Sequence, residues 1–256
     1  MRTTLKSIRK IVNIQTMIVT ALAVVSTHLC RINGLTAEFP LTLIGIAVVF
    51  PLVFSISGAY KRREAALDEY GSMKAHGRAI YFAARDWIDA PEKQVEAKDT
   101  LGELLGACRT LFHTPVAEME DKEAAVYAGF SRLSLFVKSL RGEGLAGGEV
   151  SRCNQYVSKM LVAFENVKHI YQYRTPRTLR AYSQFFIYTL PIIYGPYFAW
   201  LSREYAANLE FVMPVLFSVV LVSLENIQEH LEDPFDLVGE DDVVINVEKF
   251  IARLDA

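Results

Sequence analysis

FPLTLIGIAVVFPLVFSISGAYKRREAALDEYGSMKAHGRAIYFAARDW, residues 39–87, changes character once, at Lys61. Residues 39–60 carry no charge and are long enough, at 1.5 Å per residue, to cover the ~30 Å hydrocarbon layer of a bilayer. From Lys61 onward charged and apolar residues interleave at helical spacing, so that Ala65, Leu67, Tyr70, Met73 and Ile80 share a broad apolar face. Between Ser55 and Arg63 there is no proline and only Gly58 as a weak interruption, so one helix is expected to run from the apolar stretch into the charged one.

Three further stretches read as spans. IVNIQTMIVTALAVVSTHLC (11–30) is uncharged, and no small-x-small cleavage pattern follows it, so it is read as a first span, not as a cleaved leader. YSQFFIYTLPIIYGPYFAWL (182–201) and NLEFVMPVLFSVVLVSLEN (208–226) follow a long polar interval. RINGLTAE joins the first two spans and SREYAA the last two, which predicts two transmembrane hairpins. Pro51, Pro191, Gly195, Pro196 and Pro214 fall inside spans, where neighbouring helices must satisfy the carbonyls that proline frees; kinked, tightly packed helices are expected.

Basic residues set the orientation. Arg2, Lys6, Arg9 and Lys10 precede span one, Lys61, Arg62 and Arg63 follow span two, and Arg174, Arg177 and Arg180 precede span three, while the short loops hold only Arg31 and Arg203. Both termini and the central region are therefore expected in the cytoplasm, with the chain in a plasma or inner membrane. The expected organisation is a basic segment and hairpin over 1–60, a cytoplasmic helical region over 61–180, a second hairpin over 181–227 and an acidic tail over 228–256. Breaks at Asp89-Ala90-Pro91, at His113-Thr114-Pro115 and in RGEGLAGGE divide the central region into about four helices, and no strand alternation of useful length occurs. The fold class is all-α.

Composition narrows the function. The chain is 52% hydrophobic but still 22% charged, so its apolar excess is concentrated in the spans and the remainder lives in water. A formal net charge of -2 provides no basic surface for nucleic acid. Cys30, Cys108 and Cys153 lack paired spacing, and the five histidines form no ligand box. Glu165 and His169, four apart on one helix, supply too few ligands for a metal. The acidic run Glu225, Glu229, Glu232, Asp233, Asp236, Glu240, Asp241 and Asp242 could hold a hard cation or form a solvated surface paired with Arg174–Arg180. Polar groups inside the spans are few (Asn13, Gln15, His28, Gln184) and no buried charge is read, which favours passive conduction or a scaffold over pumping. No residue set meets the geometric roles of an active site, so neither an enzyme nor a cofactor is implied.

Leu43, Ile46, Ala47, Phe50 and Phe54 recur at three- and four-residue steps along span two. Such a stripe faces lipid, other helices or a pore; in a symmetric ring it makes an apolar constriction that gates ions by dewetting.

GAYKRREAALDEYG (58–71), with its Tyr60-x-Arg62 core and the later Tyr70-Gly71 pair, and LEDPFD (231–236), with Asp233-Pro234-Phe235 ahead of further acidic residues, resemble the corresponding segments of the bestrophin family of ion channels, and the order of elements agrees over most of the chain. The resemblance implies a homopentamer whose second span lines a hydrophobic neck, here through Leu43, Ile46, Phe50 and Phe54, above a cytosolic vestibule, passing inorganic ions, either chloride or monovalent cations. A register one turn earlier, through Phe39 and Leu43, or later, through Phe50 and Phe54, is also open. Animal members clasp calcium with an uninterrupted acidic run; here LVG separates Asp236 from Glu240, leaving Asp233, Glu240, Asp241 and Asp242 as the corresponding candidates. The alternative function is a non-conducting membrane scaffold or signalling protein acting through its cytoplasmic helices.

Overall fold

The computed structural model describes residues 12–173, 177–206, 208–236 and 242–255, and of Leu41, Leu43, Ile44 and Arg177 the backbone alone. Every regular element among them is a helix: α1 Ile14–Ile32, α2 Leu41–Asp86, α3 Pro91–Phe112, a 3-10 turn Val116–Glu118, α4 Glu120–Ser139, α5 Gly147–Gln172, α6 Arg177–Ile193, α7 Gly195–Glu204, α8 Leu209–Glu232 and α9 Val247–Ala252. The all-α class expected from the sequence is the one found. The helix expected to run on from the apolar stretch is α2, continuous across Lys61. The described residues form two compact units, one drawn from residues up to Lys61 and from 177–233, the other from 62–173, 234–236 and 242–255.

In the first unit α1 packs along α6, α7 and α8. Asn13 caps α1, its side chain accepting from the Thr16 amide at 3.1 Å. Val48, Leu52 and Ala59 of α2 are fully buried, the first two in a cluster with Val19, Ile187, Leu190, Tyr194, Phe198, Leu221 and Val222. The stretch 182–201 is not one helix: α6 ends at Ile193 and α7 begins at Gly195. Pro196 explains the break, because it has no amide hydrogen to offer the carbonyl of Ile192 four residues back. The Ser26 hydroxyl of α1 donates to that carbonyl instead, at 2.8 Å. Gly195 permits the approach, since a Cβ there would lie 2.5 Å from Ser26 Oγ and 3.1 Å from the Ser26 carbonyl carbon.

The second unit has its own core. The face of α2 that enters it runs through Ala66, Tyr70, Met73, Ile80 and Ala84. Ala65, expected on that face, is exposed and Leu67 only partly buried, because the buried positions step from Ala59 to Ala66 to Tyr70 and Met73, one residue away from Ala65. Leu101, Leu104, Leu105 and Cys108 of α3, Phe130, Leu133 and Phe136 of α4, and Met160, Phe164 and Val167 of α5 complete it. Burial pushes the Cys108 thiol up to about 12, a packed small hydrophobe and not a reactive group.

The C-terminal segment departs from the acidic tail read in the sequence. Val243, Ile245 and Val247 are buried in alternation, Phe250 and Leu254 follow at helical spacing, and all five enter the second unit's core. Arg109 holds Glu248 at 2.8 Å, Lys98 holds Asp255 at 2.5 Å, and Tyr81 donates to the same carboxylate.

Candidate functional site

Ile46, Phe50 and Phe54 are 57, 61 and 62% exposed on one side of α2, opposite Val48, Leu52 and Ala59, which are buried on the other. Phe50 and Phe54 stack edge to face with ring centroids 4.8 Å apart. The Leu43 side chain lies outside the described residues. Phe39, which begins the earlier register, packs inward against Tyr194 and Tyr197 at 4.9 and 5.5 Å. The chain therefore leaves Ile46, Phe50 and Phe54 uncovered while engaging Phe39. Two such large aromatics a helical turn apart, each more than half exposed on a helix whose opposite side is buried, form an apolar surface that needs lipid or protein to cover it.

The other motif residues divide between the two units. Tyr60 is half exposed on α2, and Arg62 is half-buried at the start of the second unit. Asp233 stands just past α8 in extended conformation, φ -112°, ψ 94°, the state preferred by a residue that precedes proline. Pro234 then accepts from the Val243 amide at 2.6 Å, and Phe235 is 1% exposed, stacked on Phe112 at 5.0 Å and edge-on to Tyr171 at 5.8 Å. The Asp-Pro-Phe segment thus turns the chain out of α8 and seats one aromatic in the second unit's core.

Of the acidic candidates for a cation, Glu240 and Asp241 lie outside the described residues, and Asp233 and Asp242 are half-buried. Among the described residues no three His, Cys, Asp or Glu side chains converge to hold a metal ion. Glu165 is taken up by Tyr127 and by Lys168, each at 2.6 Å, and His169 stacks on Tyr173. Arg180 pairs with Glu229 at 2.9 Å and Glu232 at 3.0 Å, so the expected pairing of the basic cluster with the acidic run is realised at this residue; Arg174 lies outside the described residues.

Contrary to the expectation of no buried charge, α8 buries three carboxylates. Glu210, Glu225 and Glu232 of α8 are only 3, 4 and 5% exposed. Glu210 and Glu232 sit at the ends of the helix, where Arg31 holds the first and Arg180 the second, while Glu225, two turns inside, accepts from Gln184 of α6. The apolar centre of α8 dominates its average hydropathy; the signal of Glu210 and Glu232 in sequence was their terminal placement, with Arg31 and Arg180 as oppositely charged partners.

By length and composition, α1 and α8 are apolar enough to cross a membrane. No protein-family profile matches the chain, and no curated protein matches it in sequence. Solved structures do match. A bacterial bestrophin homolog from Klebsiella pneumoniae superposes with a TM-score of 0.78 at 16% identity, over 94% of this chain and 96% of that one. A single-residue variant of the same homolog gives 0.80 at 17% identity, over 97% and 100%. A structure described as a membrane protein variant gives 0.78 at 16% identity, over 93% and 97%. The all-α chain, with its two helical units, its continuous α2 and its Asp-Pro-Phe turn after α8, has the bestrophin-type fold.

Proposed function

We propose that the chain is a bestrophin-like ion channel: a homopentamer embedded in a membrane by four spans in two hairpins, both termini cytoplasmic, conducting ions passively through a hydrophobic neck lined by α2. The observation that carries this reading is the uncovered stripe Ile46, Phe50 and Phe54, on a bestrophin-type fold, along a helix whose opposite face is buried in its own protomer. Fivefold symmetry turns each exposed phenylalanine into a ring, and an apolar ring of that kind resists wetting until it widens. Leu43, one turn earlier in the sequence, joins the proposed neck by its spacing alone. Conduction of inorganic ions, chloride or monovalent cations, needs no cofactor and no catalytic residue.

The experiment is the mass of the purified protein in mild detergent, followed by ion flux from liposomes. A pentamer with flux supports the channel. A monomer without flux across several salts overturns it and favours a membrane scaffold, for which the separately cored second unit would provide the partner-binding body.

A further inference from the structure

We propose that Lys74 and Arg78 of α2, together with Lys249 and Arg253 of the C-terminal segment, form a binding site for a soluble polyphosphate, with inorganic pyrophosphate as the representative ligand. All four residues belong to the second unit. Three contacts set the register of the C-terminal segment along α2. The Tyr70 hydroxyl is hydrogen-bonded to the Asn246 backbone, a Cβ on Gly77 would meet Phe250 Cζ at 3.6 Å, and the Tyr81 hydroxyl donates to Asp255. Lys74 and Arg78 are one helical turn apart between these contacts on α2, and Lys249 and Arg253 are likewise four apart between their counterparts, so the two basic pairs face each other.

No carboxylate among the described residues pairs with any of the four. Those of the same segment are already taken, Glu248 by Arg109 and Asp255 by Lys98. Lys74 lies instead over the Tyr70 ring, 4.3 Å from its centroid, and Arg78 Nε is shut away from water with no acceptor among the described residues. Burial, and after it the positive charges of Arg78, Lys249 and Arg253, hold the Lys74 ammonium below its ordinary value. The chain has 29 acidic residues against 27 lysines and arginines, so this crowding does not come from a shortage of carboxylates. An anion seated among the four removes the repulsion and supplies the missing acceptor. Guanidinium forks and ammonium groups are the donors that hold phosphate oxygens, by charge-assisted hydrogen bonds. Four positive charges call for a ligand carrying several negative ones, which favours linked phosphates over chloride or a single carboxylate. Lys249 and Arg253 are exposed and Lys74 and Arg78 half-buried, so the ligand enters from solvent past the first pair and is gripped by the second.

Binding here does not require the chain to conduct, so the failure of this proposal and that of the channel reading are separate. The test is calorimetric titration of the full chain in neutral detergent with sodium pyrophosphate, in buffer free of magnesium and phosphate. One pyrophosphate should bind per chain, less tightly as NaCl rises, and Lys74→Met and Arg78→Met should each weaken it roughly tenfold or more. Arg132→Met, whose guanidinium pairs with Glu103, should leave it unchanged. Melting curves give a readout that loss of an internal contact would move the other way. Without ligand, Lys74→Met should melt at or above the parent, because a crowded charge is gone; with pyrophosphate, the parent's melting temperature should rise and the variant's should not. A parent that shows neither binding heat nor a melting shift, variants that bind as the parent does, or a Lys74→Met protein that melts below the parent without ligand, overturns the proposal.

Discussion

The Ser26 hydroxyl donates 2.8 Å to the carbonyl oxygen of Ile192, the acceptor left open because Pro196 has no amide hydrogen. Removing the donor alone leaves a carbonyl without a partner in an apolar setting, so Ser26→Ala should cost about 1–3 kcal/mol. Restoring the helix's own donor with Pro196→Ala should make the same Ser26→Ala change nearly neutral. Thermal unfolding of the four proteins of this double-mutant cycle in detergent measures the coupling, and additive losses would show that the hydroxyl acts otherwise.

Gly195 and Gly106 provide a paired test of close approach. A Cβ at Gly195 meets Ser26 Oγ at 2.5 Å and Ser26 backbone at 3.1 Å, whereas a Cβ at Gly106 of α3 meets nothing within 4 Å. Gly195→Ala should destabilise by about 1–3 kcal/mol through overpacking. Gly106→Ala should stabilise the helix by about 0.5–1 kcal/mol, because it removes backbone freedom from the unfolded chain. Melting temperatures moving in opposite directions are the expected result.

What could be read in the sequence was whatever a single helix records about itself. The 39–60 run, its continuation past Lys61 and the breaks at Pro91 and Pro115 are local signals, and α2, α3 and α4 begin or end close to them. The Ala65 to Ala66 displacement came from judging a face over a few turns of a helix 46 residues long, where a one-residue error in phase changes which alanine is buried. The strap Val243, Ile245, Val247 carried its period-two pattern openly, but it is short and adjoins the acidic run that dominated the reading. For the site, the stripe was legible as periodicity; its exposure and the inward packing of Phe39 depend on tertiary contacts that one helix cannot specify.

Lys168 joins α5 to α4 by hydrogen bonds to Glu123 at 2.9 Å and to Tyr127 at 2.6 Å. The ammonium holds the Glu123 carboxyl below its ordinary value of 4.5, while burial pushes the Tyr127 hydroxyl up to about 12. Because the Glu123 value is depressed in the folded state, its contribution is fully present above 4.5 and is lost as pH falls through the lower folded value. Lys168→Met should cost about 2 kcal/mol at neutral pH and flatten that acid dependence. Denaturant titrations at neutral pH and at pH values descending through the carboxylate range check both, and a variant as acid-sensitive as the parent would remove Lys168 as the cause.

Phe235 and Phe54 separate folding from the proposed conduction, since the first is 1% and the second 62% exposed in the single chain. Phe235→Ala removes a ring packed between Phe112 and Tyr171 and leaves a cavity, which should cost about 3–5 kcal/mol. Phe54→Ala leaves no cavity, so the protomer's stability should change little. Its effect belongs to the proposed neck: a smaller ring wets more readily, and lowering the barrier by about 1.4 kcal/mol raises liposome flux roughly tenfold. Phe50→Ala should act in the same direction, because it also removes the edge-to-face partner that orients Phe54. If Phe54→Ala and Phe50→Ala both leave flux at the parent level in a folded pentamer, the neck is not on this face of α2; if both lower stability as Phe235→Ala does, the stripe is a packed interface.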